Sequence, residues 1–151
     1  MENIKFIEII PSDFKEIYSI EKKAYPIPWS EKIMASMMEG NEYKIKITYY
    51  DKIVAYVFMM VVLDEATVLN ITVDPEHQGK GLGRKLLQYV KTELSKKGII
   101  SIFLEVRESN RNAFALYESE GFHEIDLRKN YYPTKNGREH AIIMACMLMN
   151  G

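Results

Sequence analysis

The sequence predicts an α+β protein of the α/β sandwich kind, with a mixed, mainly antiparallel sheet and helices on both faces. Three observations carry that expectation. Apolar residues recur through three consecutive runs between Tyr43 and Val73, and the connections Asp51-Lys52 and Asp64-Glu65 are short enough for hairpins. From Gly81 the spacing changes to a helical period, with Leu82, Leu86, Leu87, Val90 and Leu94 on one side. The remainder reads strand, helix, strand, strand, an order that packs helices against a sheet.

Taken in order, residues 4–10 alternate weakly and stop at Pro11. Ser12 then stands as the cap of a helix carrying Phe14, Ile17, Tyr18 and Ile20 on one side. Pro26 and Pro28 break the chain, and Ser30 followed by Glu31 starts a second helix that Gly40 ends. Residues 43–50, 53–63 and 65–73 read as strands. The long helix after Gly81 keeps Lys85, Lys91 and Lys96 on its outer face and is closed by Gly98. Residues 99–106 then form a buried strand, 110–120 a helix ended by Gly121, 122–128 a strand, 131–137 a turn-rich loop and 141–148 the last strand.

A chain of 151 residues suits a single domain, 1–151, whose core needs no staple of metal or disulfide. Cys146 is the lone cysteine, which excludes an internal disulfide. Basic residues number 20 and acidic residues 21, so no nucleic acid is expected as a partner, and any anion site must be local. The longest apolar run, residues 53–63, is about half the ~20 residues a bilayer helix needs, so no membrane association is expected. The N-terminal residues lack the pattern of a secretory signal, and the cytoplasm is the expected compartment.

The most informative segment is Val73-Asp74-Pro75-Glu76-His77-Gln78-Gly79-Lys80-Gly81-Leu82-Gly83-Arg84, between a strand and a helix. Glycines there let the backbone approach a ligand. Amides at a helix N-terminus favour a phosphate, and Lys80 and Arg84 add charge. A Walker loop needs Ser or Thr after Gly-Lys, yet Gly81 follows Lys80. A dinucleotide fingerprint needs a third glycine at 84 or 86, where Arg84 and Leu86 stand. What matches is Q-x-x-G-x-G, filled by Gln78, Gly81 and Gly83. At this point the chain resembles the GNAT superfamily of acyl-CoA-dependent N-acyltransferases.

The resemblance covers residues 4–148 and implies the splayed mixed sheet of that family. It is sharpened by Pro28-Trp29-Ser30-Glu31-Lys32, Val62-Leu63-Asp64-Glu65-Ala66, Leu104-Glu105-Val106-Arg107-Glu108-Ser109-Asn110, Ala115-Leu116-Tyr117-Glu118 and Asn130-Tyr131-Tyr132-Pro133. These blocks look like the branch that acetylates the N-terminal alanine of a ribosomal small-subunit protein. The resemblance implies acetyl-CoA as co-substrate, its pyrophosphate held by Gln78, Gly79, Lys80, Gly81, Leu82, Gly83 and Arg84. Backbone groups of Ile71, Thr72 and Val73 and the side chain of Asn110 are implied as further cofactor contacts. Glu105 is implied as proton acceptor, and Tyr117 as proton donor to the departing sulfur and cofactor contact. Trp29, Tyr131 and Tyr132 are implied on the acceptor side.

Each of these residues also has a plainer reading. Glu105 would be a solvent-facing or Arg107-paired carboxylate, Tyr117 and Trp29 core aromatics, Asn110 a helix cap, and the paired tyrosines ordinary packing. His77, His123 and His140 are far apart and no metal is expected; Cys146 reads as a buried small hydrophobe. Two other functions remain open: acetylation of a small amine or lysine side chain, and a non-catalytic acyl-CoA-binding module.

Overall fold

The computed structural model describes residues 3–148. Two compact units are present, the first comprising residues up to 60 together with 69–90, the second 61–68 together with 91 onward. The first contains β1 (Ile4–Glu8), α1 (Phe14–Ala24), α2 (Glu31–Glu39), β2 (Tyr43–Tyr49) and most of β3 (Lys52–Val62). It also holds the end of β4 (Glu65–Val73) and the opening turns of α3 (Leu82–Lys96). The second contains the start of β4, β5 (Ser101–Arg107), α4 (Arg111–Ser119), β6 (His123–Thr134) and β7 (Gly137–Met147). The strands form one seven-stranded sheet in the order β1-β2-β3-β4-β5-β7-β6.

In the first unit β1 runs antiparallel to β2, and β2 antiparallel to β3. Tyr50 and Asp51 join β2 to β3 with φ of +48° and +65°, the paired left-handed values of a type I′ hairpin, one residue earlier than the sequence suggested. Ser12 does not cap α1. Residues Pro11–Asp13 form a 3₁₀ turn, and the Asp13 carboxylate folds back to accept the Ile10 N–H at 2.9 Å. Ser30 caps α2 as expected, its Oγ accepting the Ile33 N–H at 3.1 Å. Ile17 and Ile20 of α1 pack with Met34 and Met38 of α2 against Ile53, Tyr56 and Phe58 of β3. Each such side chain contributes about 1.5–3 kcal/mol on leaving water. Trp29 borders this core, its ring tilted on Phe58 at 5.6 Å.

In the second unit β4 pairs parallel with β5, Glu65–Thr67 lying opposite Ser101–Phe103, while β7 runs antiparallel to both β5 and β6. The loop expected over residues 131–137 is largely strand. β6 continues to Thr134 and β7 starts at Gly137, because aromatic and β-branched residues there gain more from pairing than from a coil. Between Arg128 opposite Ala141 and Tyr132 opposite Glu139, four steps along β6 face two along β7. Within this bulge Asn130 takes φ +52° and its N–H donates to Nδ1 of His140 at 3.0 Å.

Two lysines of β2 depart from the pattern of Tyr43-Lys44-Ile45-Lys46-Ile47. The alternation places them in water, yet both are 8% exposed. Lys46 Nζ lies 2.6 Å from Asp13 Oδ2. Lys44 Nζ donates to the carbonyls of Met37, Met38 and Gly40 at 3.1, 2.7 and 2.9 Å, capping the negative end of α2. Lys44→Met fills the space and strands these carbonyls, so it is expected to lower the unfolding free energy by about 2–3 kcal/mol in urea titrations.

Candidate active site

The glycine segment starts from a buried carboxylate. The Asp74 side chain is 1% exposed; Oδ1 accepts the Glu76 N–H at 3.1 Å and lies 3.2 Å from Lys23 Nζ, while the Asp74 N–H donates to the Val54 carbonyl at 2.8 Å. These bonds fix where β4 ends. Burial opposes the charge, yet the Glu76 N–H and the Lys23 ammonium hold Asp74 below the usual carboxylate range. After the 3₁₀ turn Pro75–His77, Gly79 and Gly81 adopt φ of +80° and +78°, values that other residues rarely take.

A Cβ added at Gly79 or Gly81 would meet nothing within 4 Å. The two glycines therefore shape the backbone and leave open the approach to the start of α3. The Lys85 N–H donates to the Gly81 carbonyl at 3.1 Å as α3 begins, so the amides of Leu82 and Gly83 come ahead of that first helical turn of bonds. Leu82 buries its side chain, whereas Gln78, Lys80 and Arg84 are exposed. Amides at a helix N-terminus, flanking cations and clear space fit a diphosphate. Of the β4 groups expected at the cofactor, the Ile71 carbonyl accepts from the Tyr25 phenol at 3.0 Å. The Val73 carbonyl accepts from Gln78 Nε2 at 3.4 Å, and Thr72 is buried.

In the second unit strand register assembles a polar face. Glu105 lies opposite Ile143, Arg107 opposite Ala141, and β6 brings Arg128 opposite Ala141 and Tyr132 opposite Glu139. The bulge inserts two residues, an even number, so alternation is preserved and Tyr132 returns to the face that carries Glu105. Glu105 is half-buried, with Arg128 Nε 3.6 Å from its Oε1. Arg107 is not its partner: that guanidinium pairs with Glu139 at 3.3 Å and lies over the Tyr132 ring at 4.3 Å. Burial and the Glu105 carboxylate, which the phenol hydrogen-bonds, push Tyr132 up to about 12. Tyr131 meets Tyr132 edge-on at 5.1 Å.

Tyr117 is buried, and its position is set by the end of α4. Gly121, at φ +93°, lets the Phe122 N–H reach the Tyr117 carbonyl at 3.0 Å and the Gly121 N–H reach the Glu118 carbonyl at 3.1 Å. That is a Schellman motif, with its apolar contact made by the Tyr117 and Phe122 rings at 6.0 Å. At the other end Asn110 Oδ1 caps α4 by accepting the Ala113 N–H at 3.2 Å. Cys146 is buried, and burial pushes its thiol up. The described residues hold no group of three or more His, Cys, Asp or Glu that could bind a metal. Among them, no helix is long and apolar enough to cross a membrane.

A seven-stranded mixed sheet whose fourth strand runs through a glycine turn into a helix is the layout of an acyltransferase fold. The family model described as Acetyltransferase (GNAT) family matches residues 14–122, and the chain belongs to that family. It is 50% identical over 134 residues, 89% of this chain and 90% of the relative, to the ribosomal protein bS18-alanine N-acetyltransferase of Escherichia coli strain K12. It is 42% identical over 142 residues, 93% of this chain and 97% of the relative, to the protein of that name from Haemophilus influenzae. The crystal structure of the ribosomal-protein-S18-alanine N-acetyltransferase from Escherichia coli superposes with a TM-score of 0.93 at 46% identity, covering 98% of this chain and 96% of that one.

Sequence reasoning missed Glu21, Tyr25, Tyr56, Arg128 and Glu139. For Glu21 a signal existed: Ile17, Ile20, Glu21 and Ala24 share one face of α1, and an acid on an apolar face announces burial. For Asp74, the stability conferred by its lowered pKa is fully present above the unfolded value of about 3.9 and is lost as pH falls through the folded value. Asp74→Asn is therefore expected to be less stable at pH 7 and to lose less stability between about pH 5 and 3, measured by urea unfolding across that range.

Proposed function

We propose that this chain transfers the acetyl group of acetyl-CoA to the α-amine of an N-terminal alanine, with the N-terminus of the ribosomal small-subunit protein bS18 as acceptor. The observation that carries this is the 50% identity, over nine-tenths of both chains, to the Escherichia coli enzyme of that name. On this reading the whole chain is one N-acetyltransferase domain, working in the cytoplasm without a metal.

Acetyl-CoA, when bound, supplies a thioester carbonyl and a thiolate leaving group. The residues of this chain do the rest. Amides from Gly79 to Arg84, with Lys80 and Arg84, hold the diphosphate at the start of α3. The backbone of Ile71, Thr72 and Val73 and the Asn110 side chain align the remainder. A β4 N–H directed at the thioester oxygen supplies the electrostatic stabilisation that acyl transfer needs. Glu105 accepts a proton from the amine, directly or through water, and Tyr117 returns one to sulfur. Tyr132 stays protonated through the neutral range, so it donates to Glu105 and does not compete as a base. Trp29, Tyr131 and Tyr132 belong to the acceptor side.

An α-amine suits so simple a base. Its reference pKa of about 7.7–8.0, against about 10.4 for lysine, leaves a neutral fraction roughly two orders of magnitude larger at pH 7. Assay of an Ala-initiated peptide bearing the bS18 N-terminus beside lysine peptides and polyamines is expected to give the highest kcat/KM for the first. A preference for polyamines or internal lysine would replace the acceptor assignment. Glu105→Gln is expected to lower kcat by about 10²–10⁴-fold, and Tyr117→Phe by about 10²-fold, with the KM for acetyl-CoA within about twofold. A module that binds acyl-CoA without turnover would leave both substitutions silent.

A further inference from the structure

Glu21 is 2% exposed, and three donors converge on it. Oε1 accepts the Tyr56 hydroxyl at 2.6 Å and Asn70 Nδ2 at 2.8 Å; Oε2 accepts the Trp29 N–H at 3.0 Å. The bonding continues beyond the carboxylate. Because Asn70 gives its NH₂ to Glu21, its Oδ1 is turned toward Thr72, whose hydroxyl donates to it at 2.7 Å. Thr72 Oγ1 thereby offers a lone pair to the Tyr25 phenol at 2.8 Å, and the single phenol hydrogen is shared between that oxygen and the Ile71 carbonyl at 3.0 Å. Glu21 thus sets the donor and acceptor sense of a chain that starts on α1, crosses β4 and returns to Tyr25, one helical turn past Glu21.

The consequence falls on the connection between α1 and α2. Its first residue, Tyr25, is tied to β4 through its side chain, and Trp29 is tied to Glu21 through its backbone. A carboxylate is a costly way to fill a core position, since taking it out of water costs several kcal/mol that an apolar residue would not. Each of its bonds is directional, and the segment they fix ends at Trp29, assigned above to the acceptor side.

We infer that Glu21 is a positioning residue for the acceptor: by holding the Trp29 backbone and, through Asn70 and Thr72, Tyr25, it sets residues 25–29 in the conformation that receives the incoming N-terminus. This rests on the acceptor assignment of the preceding section. It makes no demand on proton transfer, because the Glu21 carboxylate is engaged by Tyr56, Asn70 and the Trp29 backbone.

Glu21→Gln tests it. A glutamine carbonyl still accepts from Tyr56 and Asn70, but its NH₂ confronts the Trp29 N–H, donor against donor. The KM for an Ala-initiated peptide is expected to rise by about tenfold or more while the KM for acetyl-CoA stays within about twofold and the melting temperature within a few degrees. Emission of Trp29, the chain's one tryptophan, is expected to shift in the variant. An unchanged peptide KM, or an equal rise in both constants, overturns the proposal. Should Glu21→Gln not fold, Tyr56→Phe removes the 2.6 Å donor and keeps the ring, and it is expected to raise the peptide KM by about threefold. No change there also overturns the proposal. Failure of the acceptor assignment shows separately, in the wild-type chain: peptide acetylated with no response from Trp29 places the acceptor elsewhere and removes the role of Glu21 with it.

Discussion

A charge carried out of water must be met by groups of opposite polarity, and in the first unit that requirement decides where the backbone goes. Glu21, Lys44 and Asp74 are each nearly sealed, and each meets main-chain groups at a junction. Glu21 takes the Trp29 N–H ahead of α2, Lys44 takes three carbonyls at its far end, and Asp74 takes the Glu76 N–H where β4 gives way to the glycine turn. An unmet charge in such places costs several kcal/mol, so each junction is close to all-or-none. A chain with a single cysteine thus obtains fixed corners without covalent cross-links.

The second unit relies on parity. Glu105, Arg107, Arg128, Tyr132 and Glu139 come from three strands and share a face because two antiparallel registers and an even-numbered insertion keep the side chains in phase. An insertion of one residue would turn Tyr132 away from Glu105. Tyr117 is placed by a different device, the left-handed glycine that closes α4. Pleat and helix end together set the groups on which the chemistry is placed.

What was legible in the sequence was what is local. The helical period from Leu82 and the caps Ser30 and Asn110 depend on neighbours a few residues away, and they stand as read. The hairpin after β2 was displaced by one residue because Tyr50-Asp51 adopts a turn more often written Asn-Gly. Pro133 and the Asn-Gly pair at 136–137 resemble a long loop, and only pairing with β7 makes strand of the residues before them. Lys44 and Lys46 alternate as solvent-facing residues should, yet α2 and Asp13 cover them. Arg107 is two residues from Glu105 and its obvious partner, but register delivers Arg128 from twenty-three positions away.

The irregular stretch of β6 has an effect unrelated to its tyrosines. β6 is the last strand of the sheet, twelve residues long and exposed almost throughout, the kind of rim onto which another copy could add itself strand by strand. The two surplus residues break the even row of amides and carbonyls, and Arg128 and Lys129 set charge beside the break. The rim is thereby a poor template, and self-association along it is discouraged by the same bulge that keeps Tyr132 in phase with Glu105.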